Sequence, residues 1–302
     1  MASELDFLRT LQHDFPAAFP VLTGIGDDGA VIDAAEETRQ VVVADMLLDG
    51  THFDLAKTEP EQIGHKALAV NLSDLAAMGC RPVAAFVCLA LPNGLSEDFT
   101  TRLYLGLKSL ASQFHCVIAG GDTNSWRGPF AISVTVSGVP FGDRIPLRSE
   151  ARVGDIICVT GPLGGSLPSG RHLSFTPQLT VAERLLQHGD VHAMMDISDG
   201  LSVDLTRMME ASGTSAVLRA DDVPVHPDVD QRLPREHQLR HALHDGEDFE
   251  LLLTLPELPD NLPDGVSLFP IGEVTAGGTG LLLQQADGSS QRLQPEGWQH
   301  SV

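Results

Sequence analysis

The sequence predicts an α+β protein of two domains, on three observations. A chain of 302 residues that is 42% hydrophobic can bury one large core or two medium ones. Short Val- and Leu-rich runs occur with helix-periodic stretches in both halves, without a short-period repeat. Between the halves, residues 142–152 are rich in charge and contain Pro146, the composition expected of a boundary. The expected division is an N-terminal domain over 1–147 and a C-terminal domain over 148–302.

The elements follow from local pattern. Residues 41–44 and 83–91 are apolar runs bounded by turn residues and read as buried strands. Between them the spacing predicts a helix over 60–79. Pro60 suits a first helical position, Leu68, Leu72, Leu75 and Ala76 recur at helical spacing, and Gly79 is placed to end it. Asn71 and Asp74 interrupt that apolar helix at i, i+3 and would share a face, as a buried network or a site. A second helix is predicted over 96–114, with Ser96 as N-cap and Glu97 and Asp98 in the first turn, where acids complement the helix dipole. Strands at 116–119 and 130–139 follow. Beyond the boundary, 155–160 and 249–255 read as strands. Residues 198–212 read as a helix whose Leu201, Leu205, Met208 and Met209 form a core-facing stripe.

A formal net charge of −22 repels nucleic acid and anionic membrane, so neither is an expected partner. The four cysteines, Cys80, Cys88, Cys116 and Cys158, form no CxxC pair. They read as reduced core residues of a cytoplasmic protein. The first residues lack the pattern of a signal peptide, and no uninterrupted apolar window is long enough to span a bilayer.

Eight carboxylates lie in five short motifs: Asp27 and Asp28 after Gly24-Ile25-Gly26, Asp45 and Asp49 before Gly50, Asp74 after Asn71-Leu72-Ser73, Asp122 after Gly120-Gly121, and Asp196 and Asp199 around Ser198. Clustered Asp residues in tight turns offer the hard oxygen ligands that Mg²⁺ and Ca²⁺ prefer, and Mg²⁺ commonly completes its shell with substrate phosphates. Metal-assisted phosphate chemistry is the reading they favour. A carboxylate about 4 Å from a phosphate charge costs roughly 4 kcal/mol at an effective dielectric near 20, so phosphate binding here requires cations.

Each motif has a plainer reading. Residues 24–29 match GxGxxG, but two aspartates stand where a pyrophosphate would approach, and Val31-Ile32 looks extended where that fingerprint needs a helix. Asp45 and Asp122 are expected at strand ends, free to point into a cleft. Ser198 could simply cap a helix, which leaves Asp196 unexplained. Gly120-Gly121 would admit a phosphate close to the backbone, and Arg148 offers a forked cation or an exposed linker charge. Residues 161–170, rich in Gly and Ser but without a P-loop ending, read as a mobile loop. His52 stands near the proposed metals; His241 and His244 are too few for zinc and read as solvated. No nucleophile has an adjacent base.

Taken in order, Gly24-Ile25-Gly26-Asp27-Asp28, Gly50-Thr51-His52-Phe53, residues 66–79, Gly120-Gly121-Asp122-Thr123, Asp196-Ile197-Ser198-Asp199-Gly200-Leu201 and Gly246-Glu247-Asp248-Phe249-Glu250-Leu251 closely resemble the thiamine-monophosphate kinases. The resemblance implies the PurM-like fold shared with aminoimidazole ribonucleotide (AIR) synthetase: an N-terminal α/β domain whose strands form a barrel across a homodimer, then a C-terminal α/β domain. It implies in-line transfer of the ATP γ-phosphate to thiamine monophosphate with several Mg²⁺ ions. As metal ligands it implies Asp28, Asp45, Asp74, Asp122, Asp196 and Asp199, with Asp27 in the same turn. As ATP contacts it implies Gly121, Asp122, Arg148, Ser198 and Tyr104, and as thiamine phosphate contacts His52, Glu247 and Trp298. No catalytic base is implied.

The chain departs from that pattern in three places. Ala44 and Met46 flank Asp45 where the family usually has a hydroxyl residue and Thr, the stretch between Thr160 and Arg171 is short, and Ser301 replaces a Phe. A related ATP-using enzyme acting on another small substrate, or a non-catalytic nucleotide- or metal-binding protein, are the alternatives. The reactive N-terminal Cys of selenophosphate synthetases and the C-terminal Cys of the hydrogenase-maturation relatives are both missing.

Overall fold

The computed structural model describes residues 21–23, 27–33 and 39–298. Gly24-Ile25-Gly26 of the first motif and Gln299 to Val302 lie outside the described residues. Among the described residues no helix is long and apolar enough to cross a membrane.

The N-terminal half forms one sheet from β1 (Val21–Thr23), β2 (Ala30–Asp33), β3 (Arg39–Leu48), β4 (Cys80–Pro92), β5 (Val117–Trp126) and β6 (Ala131–Pro140), in the order β1-β2-β3-β6-β4-β5. Two helices, α1 (Pro60–Ala77) and α2 (Glu97–Gln113), make the crossovers from β3 to β4 and from β4 to β5, the latter pair parallel. Pro60 opens α1 as expected, and Glu59 and Gln62 close a reciprocal capping box on it. Ser96 caps α2 by accepting from the Phe99 N–H at 3.2 Å. The helices touch at Gly64 and Gly106. A Cβ on Gly64 would lie 2.0 Å from the Leu103 carbonyl oxygen and one on Gly106 2.0 Å from that of Glu61, so only glycine permits this backbone approach.

Strand alternation divides the sheet into two faces. Val41, Val43 and Leu47 of β3, Val87 and Leu89 of β4, and Ile132, Val134 and Val136 of β6 are buried in one core with α1 and α2. Met46, Leu48, Phe86 and Cys88 are exposed on the other side. Cys88 is thus not a core residue, whereas Cys80, Cys116 and Cys158 are buried, and all four are free thiols. Asp45 shares the parity of Val43 and Leu47, and Ala44 and Met46 that of the open face. Ala44 and Met46 therefore share the open face of the strand, and Met46 also lines the cleft that Asp45 enters.

The C-terminal sheet contains β7 (Ile156–Val159), β8 (Ala193–Asp196), β9 (Ser215–Arg219), β10 (Leu251–Leu255), β11 (Phe269–Thr275), β12 (Leu281–Gln284) and β13 (Ser290–Leu293), in the order β13-β12-β9-β11-β7-β10-β8. The helices on this side are α3 (Ser166–Ser169), α4 (Leu179–His188), α5 (Leu201–Ser212) and α6 (Arg235–His244). One sheet face packs Ile157, Val159, Met195 and Leu252 against Leu201, Leu205, Met208 and Met209 of α5, so the predicted methionine stripe is core. The other packs Cys158, Met194, Leu251 and Leu253 with Leu179, Ala182 and Leu185 of α4, and this cluster is continuous with α1.

Helix α1 therefore lies between both sheets. Leu68, Ala69, Leu72, Leu75 and Ala76 have no exposed surface, as befits a helix apolar on all sides, and each leucine contributes about 2 kcal/mol of burial. Polar residues of α1 are consequently driven to the seam between the sheets, where Asp196 ends β8.

Several local expectations need correction. Asp45 lies inside β3, opposite Val134, and Asp122 lies inside β5, opposite Cys88, because both strands run past the apolar cores that marked them. Helix α5 starts at Leu201 and not at Ser198. Its first turn is closed by Asp204, which accepts from the N–H groups of Asp199 and Gly200 at 3.0 and 3.1 Å. Residues 161–170 are not a free loop: Leu163, Gly164, Gly165 and Ser166 are buried, and Gly164 N–H donates to the Asp248 carboxylate at 2.9 Å. His244 is not solvated; its Nδ1 lies 2.7 Å from the Glu296 carbonyl oxygen and 2.8 Å from Ser202 Oγ. His241 Nδ1 lies 3.0 Å from the Asp245 carboxylate.

Candidate active site

A cleft of about 270 Å³ opens along the seam between the two halves. Of the residues singled out from sequence, Asp45, His52, Asp74, Asp196, Ser198, Asp199, Glu247 and Trp298 line it. At its floor, one carboxylate oxygen each from Asp28, Asp74 and Asp196 lie within 4.8 Å of one another. The three come from distant places: the turn before β2, the last turn of α1 and the end of β8. Ser73, one residue before Asp74, donates to Asp196 Oδ2 at 2.6 Å and ties the helix to the strand.

The electrostatics of this floor are severe. Burial, reinforced by the other carboxylates, holds Asp74 and Asp196 well above the usual carboxylate range. Burial also raises Asp28, pushes Asp45 to about 6 with help from Asp199, and pushes Asp27 to about 7 with help from Asp28. Arg148 is the cation that answers them. From the 3-10 turn Arg148–Glu150 it is ion-paired with Asp28 and lies 3.6 Å from Asp27, with only 14% of its side chain exposed. It is thus no exposed linker charge. Asp28 Oδ2 is nevertheless buried with no hydrogen-bond partner among the described residues. Three convergent carboxylates and an orphaned buried oxygen fit a hard divalent cation.

Asp199 stands at the cleft wall, ion-paired with Arg207 of α5, which also reaches Asp204 at 3.0 Å. Burial pushes Asp204 to about 7, again with a neighbouring carboxylate contributing. Trp298 is half exposed and lines the cleft, and its backbone N–H donates to the Asp199 carbonyl at 3.2 Å, which holds residue 298 at the cleft wall.

His52 sits in the turn after β3. Its Nδ1 accepts from the Leu48 N–H at 2.9 Å, which leaves the Nε2–H tautomer for the neutral ring. Asp49 is a brace of the same turn, accepting from the Leu55 N–H at 2.9 Å, and the motif carboxylates thereby divide into structural and cleft-facing ones. Glu247 projects from a turn held to the loop after β8: its N–H donates to the Ser198 carbonyl at 2.7 Å, and the Phe249 N–H to that of Ile197 at 2.9 Å.

Gly121, Asp122 and Tyr104 are not brought to the cleft. Gly121 and Asp122 lie on the exposed edge strand β5, where Asp122 Oδ2 accepts from Asn124 Nδ2 at 2.7 Å. A Cβ on Gly121 would lie 1.8 Å from the Val87 carbonyl oxygen, so β4 packing alone requires glycine there. Tyr104 lies on α2, partly exposed. Sequence reasoning passed over Lys66, His172 and Arg207. A lysine within an otherwise apolar helix was the signal for Lys66, whereas His172 and Arg207 gain their place only through folding.

Residues 26–140 match the family model for the AIR synthase related protein N-terminal domain, and residues 163–281 that for its C-terminal domain. A thiamine-monophosphate kinase of Rhodopirellula baltica is 39% identical over 311 aligned positions, covering 99% of this chain and 96% of the relative. A solved ThiL complexed with AMPPCP and TMP superposes with a TM-score of 0.85 at 27% identity, covering 99% of this chain and 97% of its own. The crystal structure of thiamine monophosphate kinase from Aquifex aeolicus gives a TM-score of 0.80 at 26% identity, covering 97% and 99%. With the acidic floor, the two-domain PurM-like fold and relatives matched along nearly their full length, this chain belongs to the thiamine-monophosphate kinase family.

Proposed function

We propose that this protein transfers the γ-phosphate of ATP to thiamine monophosphate by direct in-line displacement, giving thiamine diphosphate and ADP, with several Mg²⁺ ions held by the acidic floor. One observation carries the reading. The Asp28, Asp74 and Asp196 carboxylates converge at the base of a cleft that Glu247 and Trp298 also line. Mg²⁺ bound there would supply the positive charge that lets an acidic protein accept two phosphorylated substrates.

The chain's own groups have separable tasks. Asp28, Asp74 and Asp196, with Asp45 and Asp199 beside them, hold the cations, and Arg148 keeps the Asp28 carboxylate in place. Trp298 is assigned the cationic thiazolium through its aromatic ring, and Glu247 and His52 line the same cleft. The acceptor oxygen is already anionic, so no residue is needed as a base, and positioning with charge neutralisation lowers the barrier. Ser198 and Arg148 are assigned to ATP. Gly121, Asp122 and Tyr104 are assigned to ATP, and Asp122 to metal, by the family pattern alone.

We further place the domain division at 147/148, between the two matched segments, and the protein in the cytoplasm. A homodimer is proposed through the open face of the N-terminal sheet. Met46 at 58% and Phe86 at 44% exposure leave an apolar surface of the kind that a second copy would cover. Phe86→Asp is expected to give monomers in sedimentation or light scattering, and an unchanged dimer would reject this face.

Phosphorus NMR of the protein with ATP, Mg²⁺ and thiamine monophosphate tests the reaction: thiamine diphosphate signals are expected, and ATP binding without product at any acceptor concentration would reject it. The raised carboxyls give a second test. Between the ordinary carboxylate value of 3.8 and the raised values, about 6 for Asp45 and about 7 for Asp27, the native state holds more protons than the unfolded state. Their effect is therefore that stability of the chelator-treated protein falls as pH rises through that window. Cations that replace those protons should raise the melting temperature more at about pH 8 than at about pH 5. Equal gains at both would count against a cation site on this floor.

A further inference from the structure

We propose that Lys66 is the positioning residue of the acceptor end of the cleft: its ammonium locks the Glu247 carboxylate to the His52 loop and, through α1, sets their distance from the carboxylate floor. The inference rests on the reading of Glu247 and His52 as thiamine phosphate contacts.

Lys66 has no exposed surface. Its Nζ donates to the His52 carbonyl oxygen at 2.9 Å and to Glu247 Oε2 at 2.5 Å, and lies 2.8 Å from His172 Nδ1. Three donors thus meet three partners from three separate segments, one before α1 and two from the C-terminal half. His172 Nδ1 also lies 3.3 Å from Glu247 Oε2, so the same carboxylate oxygen is approached from two sides.

The turn that delivers Glu247 is held in a costly conformation. Glu247 and Phe249 have φ of +58° and +54°, a left-handed region that costs a non-glycine residue of order 1 kcal/mol or more and persists only where surroundings enforce it. The backbone bonds to Ser198 and Ile197 and the stacking of Phe249 on Phe175, with centroids 4.0 Å apart, enforce it here. The conformation aims the carboxylate at Lys66. As a stabilising device alone, a buried ion pair is a poor choice, because well-packed apolar residues of similar volume serve as well or better.

Helix geometry extends the effect along the cleft. Lys66, Val70 and Asp74 stand at i, i+4 and i+8 on one stripe of α1, and Val70 and Asp74 both line the cleft. Eight residues at about 1.5 Å each separate the Lys66 and Asp74 positions by roughly 12 Å. One rigid helix therefore carries both the anchor of the acceptor-binding groups and a carboxylate of the floor.

Initial rates of the full-length protein, with each substrate varied in turn, test this on Lys66→Met, Lys66→Arg, Glu247→Gln and the Met/Gln double variant. Lys66→Met is expected to raise KM for thiamine monophosphate about tenfold or more while KM for ATP stays within about twofold. Lys66→Arg should recover part of the loss, and Lys66→Met should add little in the Glu247→Gln background. Melting curves and calorimetry with Mg²⁺ and ATP identify variants that remain folded. If Lys66→Met melts too early to assay, the Lys66→Arg and Glu247→Gln variants carry the test. A folded Lys66 variant with both KM values unchanged or rising together, or an effect additive with Glu247→Gln, overturns the proposal. A wild-type protein that makes no thiamine diphosphate removes the acceptor reading itself and the Lys66 role with it, an outcome distinct from an active enzyme indifferent to Lys66.

Discussion

Asp74→Asn is expected to lower kcat for thiamine diphosphate formation by about 10³-fold, roughly 4 kcal/mol of lost barrier reduction, with the protein folded and at least as stable as wild type in the absence of metal. The size of the loss follows from position. Asp74 is fixed on a helix buried between two sheets, within 4.8 Å of Asp28 and Asp196, so no mobile side chain can substitute for its negative charge. The sign of the stability effect follows from the raised carboxyls. Burial and neighbouring carboxylates disfavour a charge at this position, and an amide of the same shape removes that penalty. Steady-state rates together with melting curves in chelator check both parts. A variant with near-normal kcat, or one that loses activity only because it unfolds, would show that Asp74 is not part of the charge-neutralising machinery.

Arg148→Met should produce the opposite stability change. The guanidinium is ion-paired with Asp28, close to Asp27, and largely buried, and removing one member of a buried pair leaves the other charge uncompensated. A loss of about 3 kcal/mol is expected near neutral pH, lowering the melting temperature by roughly 5 °C. The loss should shrink in acid, where Asp27 and Asp28 are protonated, and also on adding Mg²⁺. Activity should fall too, because Arg148 sits beside the floor and is assigned to ATP. Melting temperatures across pH, with and without Mg²⁺, are the decisive measurement. An equally large loss at all pH values would mean that Arg148 acts through packing of its stem and not through charge.

The two predictions share a cause that the sequence exposed only in part. Acidic motifs with their glycines and serines identified Asp28, Asp45, Asp74, Asp196 and Asp199 as candidates, because carboxylates set beside apolar runs are chemically unusual wherever they fold. Their division of labour was not legible. Asp49, in the same motif as Asp45, braces a turn, and Asp122 lies on an exposed edge strand, since a carboxylate's role depends on which backbone donors or neighbouring charges reach it. Ser198 had the composition of a helix cap, but Asp204 closes that turn from four residues inside the element.

The sequence by itself determined the α+β class, the helices around 60–79 and 96–114, the core stripe of α5 and the acidic motifs from which the floor is drawn. Each rests on information local to a few residues: apolar period, capping chemistry and charge density. Only the tertiary structure decided that α1 is shared by two sheets, that Arg148 faces Asp28 across 120 positions of chain, and that Lys66 meets His172 and Glu247 from 106 and 181 positions away. No local pattern encodes such pairs, because burial of α1 between the sheets brings them together. The same packing gathers the carboxylates closely enough that burial and mutual repulsion raise Asp74 and Asp196, an arrangement suited to cations.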